Sequence, residues 1–118
     1  MRHVHKHEFK CPCCAENLIN ANFVDRLNAA REKAKRAFII TSGYRCEDHN
    51  VSIGGSVNSA HIAGLGADIR AETAHDRHEI MVALLSCGFN RIGIYERHIH
   101  VDQSEVLPQR VLWYGRYK

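Results

Sequence analysis

The chain has no apolar run approaching the ~18 residues that a membrane-crossing helix needs, so a helical membrane protein is excluded. Its basic start, Met1 to His7, runs into no apolar stretch, and no signal peptide is visible. Synthesis in the cytoplasm is expected. Proline is scarce, with two in 118 residues, and no repeat, low-complexity stretch or interdomain linker breaks the chain. One domain over residues 1–118 is expected, with 1–19 as an N-terminal cap anchored by Phe9. Charge of one sign is also lacking: 16 Lys and Arg stand against 13 Asp and Glu, net +3, without a dense basic run. That excludes a strong nucleic-acid footprint and weakly favours an anionic polymer as partner. A monomer is expected. The five cysteines are an odd number, which argues against a complete disulfide framework. Cys46 and Cys87 stand alone. Cys11-Pro12-Cys13-Cys14 could bind a second metal, with His5 or His7. The spacing is not that of paired C-x2-C knuckles, because no second pair follows, so free thiols are the expectation.

What is there reads as alternating helices and strands. Phe23, Leu27, Ala30 and Ala34 recur at helical spacing behind Asn20, a good N-cap, and predict a helix over 21–35. Arg26, Arg31, Lys33 and Lys35 are expected on its solvated face. Residues 37–41 predict a strand, 42–60 a loop rich in Gly, Ser and Asn, and 66–70 a second strand. Thr73 or Asp76 starts a helix to about Cys87, which Gly88 ends. Residues 91–96 and 97–102 predict consecutive strands, and 111–114 an edge strand or lid. The fold class is α+β: a small antiparallel sheet with helices packed on one side.

Histidine is abundant, nine in all, and its placement is suggestive. His61 and Asp68 stand seven residues apart, separated by Gly64, Gly66 and small alanines. His98-Ile99-His100-Val101-Asp102 follows as a strand. Side chains alternate along a strand, so Glu96, His98, His100 and Asp102 share one face if it is regular. Two His and one Asp suffice to hold a Zn²⁺ that keeps its fourth position open, the mark of a catalytic site. The competing reading is chance clustering of surface or core histidines, and the spacing alone leaves the two level.

Further residues carry a resemblance. Ser42-Gly43-Tyr44-Arg45, Asn50, Gly54-Gly55, Ser59-x-His61-x-x-Gly64-x-x-Ala67-Asp68 and His100-Val101-Asp102 stand in the order seen in zinc D-Ala-D-Ala carboxypeptidases. Over roughly residues 20 to 103 the chain resembles their small phage and prophage, endolysin-like members, in a fold group shared with lysostaphin-type peptidases and the hedgehog domain. The resemblance implies one Zn²⁺ held by His61, Asp68 and His100. It implies that Arg45 binds the substrate's carboxylate and that Ser59 bonds either the substrate or a ligand's second nitrogen. Tyr44 and Trp113 are candidates to line the substrate pocket, although aromatics of this sort are more often core or rim packing. Many relatives carry a catalytic Glu three residues before the last His ligand; here that position is Arg97. Another branch has His-x-His, which makes His98 the first choice for orienting the water, stabilising the oxyanion or moving protons, and Glu96 the second. Asp102 could brace a ligand histidine.

The function so implied is a zinc metallopeptidase cutting D-alanine-containing bonds of peptidoglycan, as carboxypeptidase or endopeptidase. It would reach the cell wall after release by a route this sequence does not encode. The alternative is a non-catalytic metal-binding domain of the same fold, in a phage structural or wall-recognition role. A third reading gives the His-rich start and the Cys cluster a metal of their own, for storage or regulation.

Overall fold

A computed structural model describes residues 4–55 and 59–115. Phe9, fully buried, ends a short 3₁₀ turn at Lys6–Phe9 and anchors the N-terminal segment in the core. Helix α1 (Ala21–Ala34) starts at Asn20, whose side chain accepts the Phe23 N–H at 2.9 Å, a cap worth about 1 kcal/mol. Helix α3 (Ala74–Ser86), the third in the chain, starts at Thr73, which accepts the Asp76 N–H at 3.0 Å, and Gly88 follows its end at φ 86°. The two helices pack on each other. Their apolar stripes, with Phe23, Leu27, Ile80 and Leu84, share one core with Ile69, Ile92, Ile99 and Val101 of the sheet. Among the described residues no helix is long and apolar enough to cross a membrane.

The sheet has five strands: β1 (Ile40–Ser42), β2 (Gly66–Arg70), β3 (Arg91–Ile94), β4 (His98–Asp102) and β5 (Val111–Tyr114). Their order is β1-β2-β4-β3-β5. The first four pair antiparallel, as the sequence predicts, while β5 adds a parallel edge to β3 and makes the sheet mixed. The chain between β3 and β5 makes the hairpin with β4 and then returns along residues 103–110, so β5 enters in the direction of β3. In β2 and β4, Ala67, Ile69, Ile99 and Val101 turn to the core and are fully buried. Asp68, His98, His100 and Asp102 occupy the alternate positions, on the opposite face.

Three expectations are corrected. The stretch 42–60 is not all loop: Cys46 caps a short helix, α2 (Glu47–Ser52). Arg31 is not on the solvated face of α1 but only 1% exposed. It stands four residues after Leu27 and seven after Val24, so the helical period puts it on the buried stripe. Glu96 does not share the face of β4. Tyr95 N–H bonds His98 O at 2.9 Å, so Glu96 and Arg97 form the tip of the β3–β4 hairpin and are exposed.

Candidate metal centre

The centre is built on the register of β2 and β4. Asp68 stands directly opposite His100, the placement in which facing side chains meet. His100 Nδ1 lies 2.9 Å from Asp68 Oδ1. Two glycines clear the face around this pair. A Cβ on Gly66, opposite Asp102, would come within 3.1 Å of Ala60 Cβ, so its absence lets the 59–64 turn settle on the sheet. That turn brings His61. A Cβ on Gly93, opposite His100, would strike the Trp113 ring at 2.5 Å. Trp113 instead lies over Gly93, with its ring 5.7 Å from that of His100 and its Nε1 donating to Tyr95 Oη at 3.1 Å.

His61 is buried, and its Nδ1 is 2.6 Å from Gly43 O. A carbonyl only accepts, so Nδ1 carries a proton and Nε2 is the ring nitrogen left to face Asp68. That Nε2 faces Asp68 Oδ1 at 3.4 Å. Gly64, at φ 72°, closes the turn by donating to His61 O at 3.3 Å; a Cβ there would meet Leu18 O. Ser59 Oγ accepts the His61 N–H at 3.2 Å, so Ser59 shapes the turn that presents His61.

His100 sits between two carboxylates. Its Nε2 is 2.6 Å from Asp102 Oδ2, while Arg91 Nε and Ser104 N–H hold Asp102 Oδ1 at 2.7 and 3.0 Å. Burial works against charge on this imidazole, but the bonds to Asp102 and Asp68 outweigh it and push its pKa up to about 9. Burial would likewise raise Asp68, yet the bonds from His100 and His61 hold its carboxyl far below the usual carboxylate range.

His61, Asp68 and His100 thus each offer one ligand atom, all within 4.8 Å of one another. Two imidazole nitrogens and a carboxylate oxygen suit Zn²⁺, and the outer bonds to Gly43 and Asp102 are the orienting kind that metal-bound histidines make. The sequence placed these three together, and the geometry does bring them together.

Around them stand the other residues singled out from the sequence. Arg45 Nη2 is 3.5 Å from Asp68 Oδ2. Its Nε donates to Ser42 Oγ at 3.2 Å and its Nη1 to Asn50 Oδ1 at 3.3 Å. Asn50 is itself buried, and Gly55 packs where a Cβ would overlap its side chain. Ser42 and Asn50 therefore aim Arg45, a role the sequence reading did not assign, although both lie within the motifs. His98 is half-buried, stacked on Tyr95 at 4.6 Å, with Nε2 3.7 Å from Asp68 Oδ2. Tyr44 is buried and engages Glu16 Oε1 through its hydroxyl at 3.1 Å, so it packs the N-terminal segment rather than presenting its hydroxyl to a substrate. Glu96 is held at the hairpin tip, where its backbone carbonyl accepts from Arg77.

No curated protein matches the chain. A family model described as Peptidase M15 does match, from residue 3 to residue 102. That family is made up of zinc-dependent peptidases, so hydrolytic chemistry goes with the match. The matched stretch runs from the N-terminal segment to the end of β4, through the turn and both strands that carry the converging ligands, and the chain belongs to the peptidase M15 family.

Proposed function

We propose that this chain is a zinc peptidase that hydrolyses D-alanine-containing peptide bonds of bacterial peptidoglycan. The observation that carries the reading is the convergence of His61 Nε2, Asp68 Oδ1 and His100 Nδ1 beside an oriented arginine. These three atoms would hold the ion, with His61 fixed by Gly43 and His100 by Asp102. When bound, Zn²⁺ supplies a Lewis acid for the scissile carbonyl and brings the pKa of a water ligand down to about 7.

The protein's own groups do the rest. Arg45 offers a planar fork already aimed by Ser42 and Asn50, suited to gripping a peptide's terminal carboxylate by two parallel bonds. His98, on the same strand face as His100 and one strand step away, is the nearest further imidazole. It would take the proton from the attacking water and return it to the departing amine. Trp113 and Tyr95 lie beside His100 and His98 on this face. The cell wall is the proposed place of action, reached after release from the cytoplasm.

A second reading, a metal-binding domain without turnover, draws on one observation. Arg97 occupies the position of the relatives' catalytic Glu, and Glu96 lies at the exposed hairpin tip. One experiment separates the readings. Zinc-loaded protein is incubated with purified peptidoglycan, and soluble products are identified by mass spectrometry. Free D-alanine would establish a carboxypeptidase and larger peptides an endopeptidase. Release of neither by fully zinc-loaded protein would leave the second reading.

A further inference from the structure

Away from the sheet, the fold gathers four of the five cysteines. Cys11, Cys13 and Cys14 come from the N-terminal segment, and Cys46 from the loop just after Arg45. Their sulfurs all lie within 4.8 Å of one another. The closest separations are 3.3 Å for Cys13–Cys46, 3.5 Å for Cys11–Cys13 and 3.6 Å for Cys11–Cys46. All are free thiols. A tetrahedral centre with metal–sulfur bonds of about 2.3 Å requires sulfur–sulfur edges of about 3.8 Å, close to this spacing.

We propose that Cys11, Cys13, Cys14 and Cys46 form a second, structural metal site that takes a thiophilic divalent ion, Zn²⁺ foremost. Four sulfurs and no open position are the pattern of a structural rather than a catalytic zinc. The backbone around the cluster is arranged for thiolates. Cys46 N–H points at Cys11 Sγ at 3.5 Å, and His49 N–H, in the first turn of α2, points at Cys46 Sγ at 3.4 Å. The three N-terminal sulfurs are drawn to one side by a tight turn. Ala15 N–H bonds Cys11 O at 2.8 Å, Cys11 N–H bonds Glu16 O at 2.7 Å, and Ala15 is held at φ 63°, where a non-glycine residue is uncommon. A disulfide would join only two of these sulfurs. It would give no reason for four to meet.

The site's position suggests what it does. The N-terminal segment and the Arg45 loop already share one backbone bond, Tyr44 N–H to Phe9 O at 2.7 Å. A metal bridging Cys46 to Cys11–Cys14 would clamp that junction. The clamped loop carries Gly43 O, which orients His61, and Arg45, whose N–H bonds His61 O at 3.2 Å. The metal would therefore position the catalytic face without touching it. The cluster does not depend on the sheet site being catalytic, and the test keeps the two apart.

The test counts zinc in the full chain purified under reducing conditions. Unaltered protein is expected to hold two equivalents. The double variant His61→Ala/His100→Ala should hold one, and with Co²⁺ in place of Zn²⁺ it should show the strong near-ultraviolet absorption of thiolate-to-metal charge transfer. Cys46→Ser and Cys13→Ser should each lose one equivalent and that absorption. Cys13 is exposed, so its replacement tests the site should Cys46→Ser fail to fold. Absence of the band, or an unchanged zinc count in both cysteine variants, would overturn the proposal. So would recovery of these cysteines as disulfides from protein prepared in the presence of zinc.

Discussion

The two clusters of metal-ligating side chains are held by different means. His61, Asp68 and His100 are nitrogen and oxygen donors, two of them on facing strands whose hydrogen-bonded register fixes the distance between them. Each has an outer partner: Gly43 O for His61, Asp102 for His100, Arg45 for Asp68. The cysteines are sulfur donors on irregular backbone, gathered by one tight turn and one helix cap. Sheet register gives rigidity. A loop cluster would gain order from an ion bound to it. The first arrangement suits chemistry and the second suits a staple.

The largest expected effect tests whether the clusters are independent. His61→Ala or His100→Ala should abolish peptide hydrolysis and the sheet-bound zinc while circular dichroism stays near that of the unaltered chain. If both variants keep the zinc count and the activity, the sheet site is misplaced. Next comes His98→Ala, expected to lower kcat by about 10²–10⁴-fold with near-normal zinc. Glu96→Gln is the control and should do much less, since Glu96 lies at the exposed hairpin tip. A reversed ranking would exchange their roles, and zinc loss in His98→Ala would make His98 a ligand.

Arg45→Ala should reduce kcat/KM with zinc retained. Bonds to a charged group are worth about 1.5–3 kcal/mol each, or ~10–150-fold, and Lys should restore only part because it lacks the two-pronged geometry. Unchanged kinetics would remove Arg45 from the site. Asp102→Asn sharpens the contrast in outer partners: zinc affinity at the sheet site should fall about 10–100-fold, measured by competition with a chelator. An unaltered affinity would show that His100 needs no carboxylate behind it.

The smallest effect concerns the metal-free protein. The pKa of His100 is raised from 6.5 to about 9 in the folded chain. Its protonated form therefore stabilises the fold fully below about pH 6.5, and that contribution is lost as pH rises through about 9. Urea midpoints of metal-free protein should fall across that window, and less so in His100→Asn. Equal slopes for the two would show that the imidazolium between Asp68 and Asp102 adds nothing.

Local sequence determined much of this protein. Asn20 names one helix start because its side chain can reach an orphan N–H, Thr73 is one of two candidates for the other and is the one the structure uses, and Gly88 names an end because it tolerates positive φ. The alternation in His98–Asp102 separates a polar face from a core face by strand geometry alone, and it led to the right face for His100 and Asp102. The motif order identified the family and the three converging side chains. Tertiary structure decided the remainder. Arg31 went inside because its place on the α1 stripe outweighed its charge. Glu96 left the strand face because the hairpin turned one step earlier than the pattern implied. Tyr44 was taken by Glu16, 28 residues away. Cys46 lies 35 residues from Cys11, and no spacing rule spans that interval. Only the packing of the N-terminal segment against the Arg45 loop brings the fourth sulfur to the other three, because local signals act through neighbouring backbone while long-range contacts depend on the assembled core.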